Sequence, residues 1–171
     1  MAQALTSPFL LAALVLCIAG AAKLRSPAAA SRAASTLGLP SRLVLVRAFA
    51  LLELAVGCWS AAVPGRPAAA AMTCLYAIFT VLSLLLARRR AACGCFGESD
   101  VPTSTLQPLL SGIFAIVALA AMFVTPHGLG WVLGRPPMDS LVLLLGTAGA
   151  AYGTVLMYSE LPQAWTSWSG R

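Results

Sequence analysis

The run LVLVRAFALLELAVGCWSAAV, residues 43–63, decides the fold. It is 21 residues long and carries two charges, Arg47 and Glu53. At 1.5 Å of rise per residue, a helix of that length covers the ~30 Å hydrocarbon core of a bilayer. Its apolar residues fall on every face of such a helix, a pattern that marks burial in lipid or a core. Arg47 lies one turn inside the run, and its long side chain can snorkel to the headgroups as an anchor. Glu53 has no such escape. It stands about ten residues, or ~15 Å, into the helix. An ionised carboxylate there costs ~2.5–3.5 kcal/mol or more, so Glu53 must be protonated, paired or hydrated in place. Two roles fit: a proton relay or hydrogen-bond donor to a bound head group, and an interhelical hydrogen bond that fixes the bundle.

Four more runs share this character, at about 5–22, 68–87, 106–124 and 140–158, and all five measure 18 to 21 residues. The expected fold is therefore all-α: one polytopic membrane domain of five spanning helices, or four if the first or last run does not cross. Composition agrees. Of the 171 residues, 60% are hydrophobic and only 9% charged, with net charge +6, whereas soluble domains carry about 25% charged residues. The basic residues cluster between apolar runs, which points to topology signals and anionic lipid headgroups and away from nucleic acid. The single histidine, His127, argues against a bis-His haem and an ordinary Cys/His zinc site.

The first run ends at Lys23 and Arg25 and has no charged segment before it, so a retained helix is expected instead of a cleaved leader, although Ala19-Gly20-Ala21 has suitably small residues. Leu16 before Cys17 argues against a lipoprotein site. Residues 26–42 are too polar to span. Ser26 as N-cap, Pro27 at the first helical position and Gly38-Leu39-Pro40 as a stop predict a short interfacial helix over 28–37, with Arg32 on its wet side. Residues 126–137 read as a loop.

The loops after the first and third runs hold Lys23, Arg25, Arg32, Arg42 and Arg88-Arg89-Arg90, whereas the others hold Arg66 and Arg135 alone. The positive-inside rule then places the N-terminus outside and the C-terminus in the cytoplasm of a plasma-membrane protein. Ala50, Glu53, Gly57 and Ser60 form an inward stripe on the second span, and Ser111, Ala115, Ala118 and Met122 one on the fourth. Gly146, Gly149 and Gly153 on the fifth read as a packing seam.

Reactive chemistry is concentrated in Cys93-Gly94-Cys95-Phe96-Gly97, directly after the triple arginine. Nearby cations favour the nucleophilic thiolate, and Gly94 and Gly97 leave both sulfurs open. Gly94 also lets Cys93 and Cys95 close into a small, strained ring, which suits exchange better than stapling. A soft-metal site using both thiolates and a pair of structural cysteines are the other readings. Cys17, Cys58 and Cys74 lie inside apolar runs and read as packing residues. Cys58 and Cys74 fall at similar depth and can pair if the second and third spans touch there. That site would lie ~28 Å from Cys93 and Cys95, beyond direct exchange.

Three segments resemble the methylamine utilisation protein MauE family, within the broader DoxX-like membrane proteins. They are Ala19-Gly20-Ala21-Ala22-Lys23-Leu24 with Ser26-Pro27, then Gly38-Leu39-Pro40 with Leu52-Glu53-Leu54-Ala55-Val56-Gly57, and the Cys93–Gly97 motif. The resemblance implies a helical bundle and thiol-disulfide chemistry in the maturation of exported or membrane-associated redox proteins, with a protein redox partner or client. It raises the standing of Lys23 and Glu53 as positions that match the pattern. Targets outside the cell conflict with a motif placed inside by charge. Either the topology is inverted, or reductant crosses the membrane, or the client is cytoplasmic. A non-catalytic subunit of a membrane complex is the second reading, and a quinone-linked DoxX-like subunit with Glu53 near the head group the third.

Overall fold

Lipid offers a backbone no hydrogen-bonding partner, so each spanning segment must satisfy its own N–H and C=O groups, and a helix does so within one segment. The computed structural model describes residues 2–92 and 105–159, and no strand occurs among these. Among the described residues seven helices follow one another: α1 (Ala2–Arg25), α2 (Pro27–Thr36), α3 (Leu43–Ala62), α4 (Arg66–Arg88), α5 (Leu106–Phe123), α6 (Leu129–Leu133) and α7 (Pro137–Ser159). Five of them, α1, α3, α4, α5 and α7, are long and apolar enough to cross a membrane. The all-α polytopic bundle expected from the apolar runs is the architecture observed.

Two segments differ from expectation. Lys23 and Arg25 stand in the last turn of α1, which ends at Arg25 as expected, but the helix includes both, and Lys23 is only 6% exposed. Lys23 is thus a residue of the bundle interior and not a loop charge. The segment 126–137 contains the short helix α6, seated by Val132, which is buried, and by the Ser140 hydroxyl donating to the Val132 carbonyl at 2.7 Å.

The amphipathic helix α2 has the form expected. Ala29 and Ala33 are buried and Arg32 is exposed. Pro27 opens it, although the Ser26 hydroxyl makes no capping bond. At its other end Gly38 takes the left-handed conformation (φ 75°), its N–H bonded to the Ser35 carbonyl at 3.0 Å and that of Leu39 to Ala34 at 2.9 Å. This is a Schellman stop, which glycine adopts without steric cost.

α1 is the central element. Phe9, Ala12, Ala13 and Leu16 have no exposed surface. It packs closely on α3 and also meets α5 and α7, while α4 pairs with α5. The buried Tyr76 hydroxyl ties α4 to α1 by donating to the Ala12 carbonyl at 2.5 Å, and its ring lies 5.3 Å from that of Phe114 on α5. The expected inward stripe on α3 is present, with Ala50, Glu53, Gly57 and Ser60 all buried. On α5, Ser111 and Ala118 are buried, and Ala115 and Met122 pack against the core.

The glycines of α7 depart from expectation. A Cβ on Gly146, Gly149 or Gly153 would meet nothing within 4 Å. α7 turns Ala151 and Thr154 toward the bundle, and at 100° per residue Gly149 and Gly153 point almost the opposite way. No seam forms there within the described residues.

Candidate functional site

Two glycines bring α1 and α3 together. A Cβ on Gly20 would lie 2.7 Å from the Ala50 carbonyl oxygen and 3.0 Å from the Leu54 nitrogen. One on Gly57 would lie 2.6 Å from Cys17 Sγ and 2.9 Å from the Ala13 carbonyl oxygen. The later residue of α1 thus faces the earlier residues of α3, so the pair is antiparallel. Side chains tilt toward the N-terminus of their own helix. Lys23, near the end of α1, therefore leans back into the bundle, and Glu53 leans toward it. Lys23 Nζ donates to Glu53 Oε1 at 2.9 Å and Oε2 at 2.7 Å.

The pair is enclosed. Glu53 has no exposed surface, and Lys23 Nζ also stands 4.8 Å from the centroid of the Phe79 ring on α4, a cation–π distance. Phe79 is held edge-on by Phe49 at 5.8 Å. Beneath α2 lies a largely apolar cavity of about 520 Å³ lined by Ala33, Leu37, Val46, Phe49 and Phe79, with Lys23 its charged lining residue. Such an arrangement can hold two opposite charges in the bundle, or pass a proton between them, beside a space that accepts an apolar group. The partner of Glu53 was not evident from its own helix. The signal lay in the small residues Gly20 and Gly57, which permit close approach, and in Lys23 being the only lysine in the chain.

The arginines stand at the same end. Arg88 is in the last turn of α4 and Arg89 caps it. Arg90 N–H bonds to the Ala87 carbonyl at 3.1 Å and Ala91 N–H to Leu86 at 3.0 Å. This is a second Schellman stop, with Arg90 at φ 52° where glycine is usual. Arg89 Nη1 donates to the Thr36 carbonyl and so links the end of α4 to α2. Cys93, Gly94, Cys95, Phe96 and Gly97 follow directly in sequence and lie outside the described residues.

The remaining thiols are arranged differently from the reading by depth. Cys58 faces Cys17, Sγ to Sγ 3.7 Å, and not Cys74, and all three are free. At the opposite end, the Trp131 ring is stacked on His127 at 4.3 Å and lies 4.0 Å beneath the Arg135 guanidinium. The His127 N–H donates to Thr6 Oγ1 at 3.1 Å. The sequence places this column in a loop, and of the three residues only Trp131 stands on α6.

Five membrane-length helices around a buried lysine–glutamate pair define a multi-pass integral membrane protein. The family model described as Methylamine utilisation protein MauE matches residues 1–126, more than half of the chain. The protein belongs to that family. The matched region takes in α1 to α5, the Lys23–Glu53 pair and the Cys93–Gly97 motif, and ends before α6. No curated protein and no solved structure matches the chain.

Proposed function

We propose that this protein is a thiol-disulfide redox or maturation factor of the plasma membrane, serving redox proteins of the process named in its family description. The observation that carries the reading is the placement of Cys93 and Cys95 directly after the arginine-rich end of α4, inside the region matched by the family model. One thiolate of the pair attacks a client disulfide, forming a mixed disulfide and releasing one client thiolate. The second thiolate attacks that mixed disulfide, closing Cys93–Cys95 and releasing the other client thiolate. The reverse sequence oxidises the client. In this reading Lys23 and Glu53 support the end of the bundle after which the motif follows in sequence, and their pair relays a proton.

Differential alkylation under reducing and oxidising conditions tests this. Both thiols should label after reduction and neither after oxidation, and Cys95→Ser should trap a mixed disulfide with the client. Two thiols that stay unreactive in the native chain, together with full cellular function of Cys95→Ser, overturn it. A second reading, a non-catalytic assembly subunit, is favoured by Gly146 and Gly149, exposed on α7 with open space before them. It predicts a stoichiometric partner on mild-detergent purification and indifference to loss of the cysteines.

A further inference from the structure

A second pair of thiols is brought together by the fold, far from the Cys93–Gly97 motif in sequence. Cys17 of α1 and Cys58 of α3 are 41 residues apart, yet their sulfurs lie 3.7 Å from each other. The approach is built into the helix contact. Gly57 leaves the space that Cys17 Sγ occupies, since a Cβ there would lie 2.6 Å from the sulfur. Closing a disulfide needs the sulfurs at about 2.05 Å, so the pair must draw together from the 3.7 Å at which it rests.

Both thiols lie within spanning helices, four residues before the end of α3 for Cys58 and eight before the end of α1 for Cys17. Cys58 is exposed on the bundle surface, which in a spanning helix faces lipid, and Cys17 is half-buried behind it. That setting selects the oxidant. In an apolar medium a thiol cannot ionise cheaply, so exchange through a free thiolate with a polar disulfide is disfavoured. An acceptor that enters lipid and takes each proton together with its electron avoids forming the charge.

We propose that Cys17 and Cys58 are an intramembrane dithiol that a lipid-soluble quinone oxidises to an interhelical disulfide. Two S–H bonds break and one S–S bond forms. The two electrons and two protons pass to the two carbonyl oxygens of the quinone, giving the quinol. The disulfide bolts α1 to α3 in the interface that holds Lys23 and Glu53, and does not involve Cys93 or Cys95.

The test uses the full-length chain with Cys74, Cys93 and Cys95 changed to serine, reconstituted in phosphatidylcholine vesicles. The probe is ubiquinone-1, whose fully substituted ring accepts electrons without arylating sulfur. The expected result is parallel loss of both thiols to alkylation, one quinol per disulfide, and a Cys17–Cys58 linked peptide by mass spectrometry. Cys58→Ser should leave Cys17 alkylatable. The five-cysteine protein treated alike should yield the same linked peptide. The proposal is overturned if both thiols stay alkylatable, if Cys58 is found joined to Cys74, or if oxidised glutathione closes the pair as fast as ubiquinone-1.

Discussion

Lys23 Nζ lies 2.7 Å from Glu53 Oε2, and the two side chains are 7% and 0% exposed. An ion pair so enclosed is a matched unit. Losing one partner leaves an uncompensated charge in the bundle, which costs about 3–5 kcal/mol, whereas replacing both by apolar residues of similar volume is often neutral or better. Lys23→Met and Glu53→Leu should therefore each lower stability by about that amount, and the double variant should recover most of it. Unfolding in detergent micelles reads the three variants directly. If the pair also moves a proton in the reaction, the double variant will be stable and inactive. Recovery of both stability and activity would assign the pair to folding alone.

The glycines divide into two classes with opposite expected outcomes. Gly20→Ala places its methyl 2.7 Å from a backbone oxygen, and Gly57→Ala places its own 2.9 Å from another. Backbone cannot swing aside, so the helices must part, at about 1–3 kcal/mol for each variant. Gly146→Ala and Gly149→Ala meet nothing within 4 Å and should be neutral or stabilising by up to ~1 kcal/mol through helix propensity. Thermal denaturation of the four variants measures the contrast. A large loss at Gly149, seen only when another membrane protein co-purifies, would favour the assembly-subunit reading.

Bilayer thickness imposes a length on every crossing helix, and for that reason the five long apolar helices were legible to within a few residues. The stripe through Ala50, Glu53, Gly57 and Ser60 was legible too, because small and polar residues at helical spacing have few uses in lipid except contact. Rotation and register between helices were not legible. Depth alone set Cys58 level with Cys74, but rotation of α3 turns it to Cys17. Small residues alone suggested a seam on α7, but Ala151 and Thr154 take the inward face. Lys23 read as a topology charge because its sequence position is terminal. Its side chain points back along α1, a direction that follows from helix geometry once the antiparallel partner is known. At the candidate site, residue types drew attention to the Cys93–Gly97 motif, which lies outside the described residues, and the three-dimensional contact between α1 and α3 disclosed the partner of Glu53.

Arg90 holds a left-handed conformation (φ 52°) at the end of α4. A residue with a Cβ is disfavoured there by roughly 1–2 kcal/mol, and glycine is not. Arg90→Gly should thus stabilise the end of α4 by about 1 kcal/mol less the greater entropy of glycine in the unfolded chain. Amide exchange at Arg90 and Ala91, whose N–H groups make the Schellman bonds, reports the local gain. Faster exchange there in the glycine variant would contradict it. Because the substitution also removes one of three cations before Cys93, stability and thiol reactivity should move in opposite directions.

The reactivity of Cys93 and Cys95 should depend on Arg88, Arg89 and Arg90 in a way that salt reveals. The thiolate is the reacting form, and a cation near contact in water favours it by about 1 kcal/mol, roughly fivefold in thiolate fraction. Arg88 stands exposed in the last turn of α4, and Arg89 is held against α2 by its bond to the Thr36 carbonyl, so the Arg89 charge keeps a fixed place at the end of the bundle. Changing all three arginines to glutamine should slow alkylation of the reduced motif by about fivefold or more at low ionic strength. In 1 M salt the Debye length falls to about 3 Å, and the difference from the native chain should largely disappear. Stopped alkylation at a series of salt concentrations, with the remaining three cysteines changed to serine, isolates the two thiols concerned. An equal rate for the native and triple-glutamine chains at low salt would remove the arginines from the chemistry and leave them as a topology signal. A slower rate that salt does not equalise would assign their effect to the geometry of the α4 terminus.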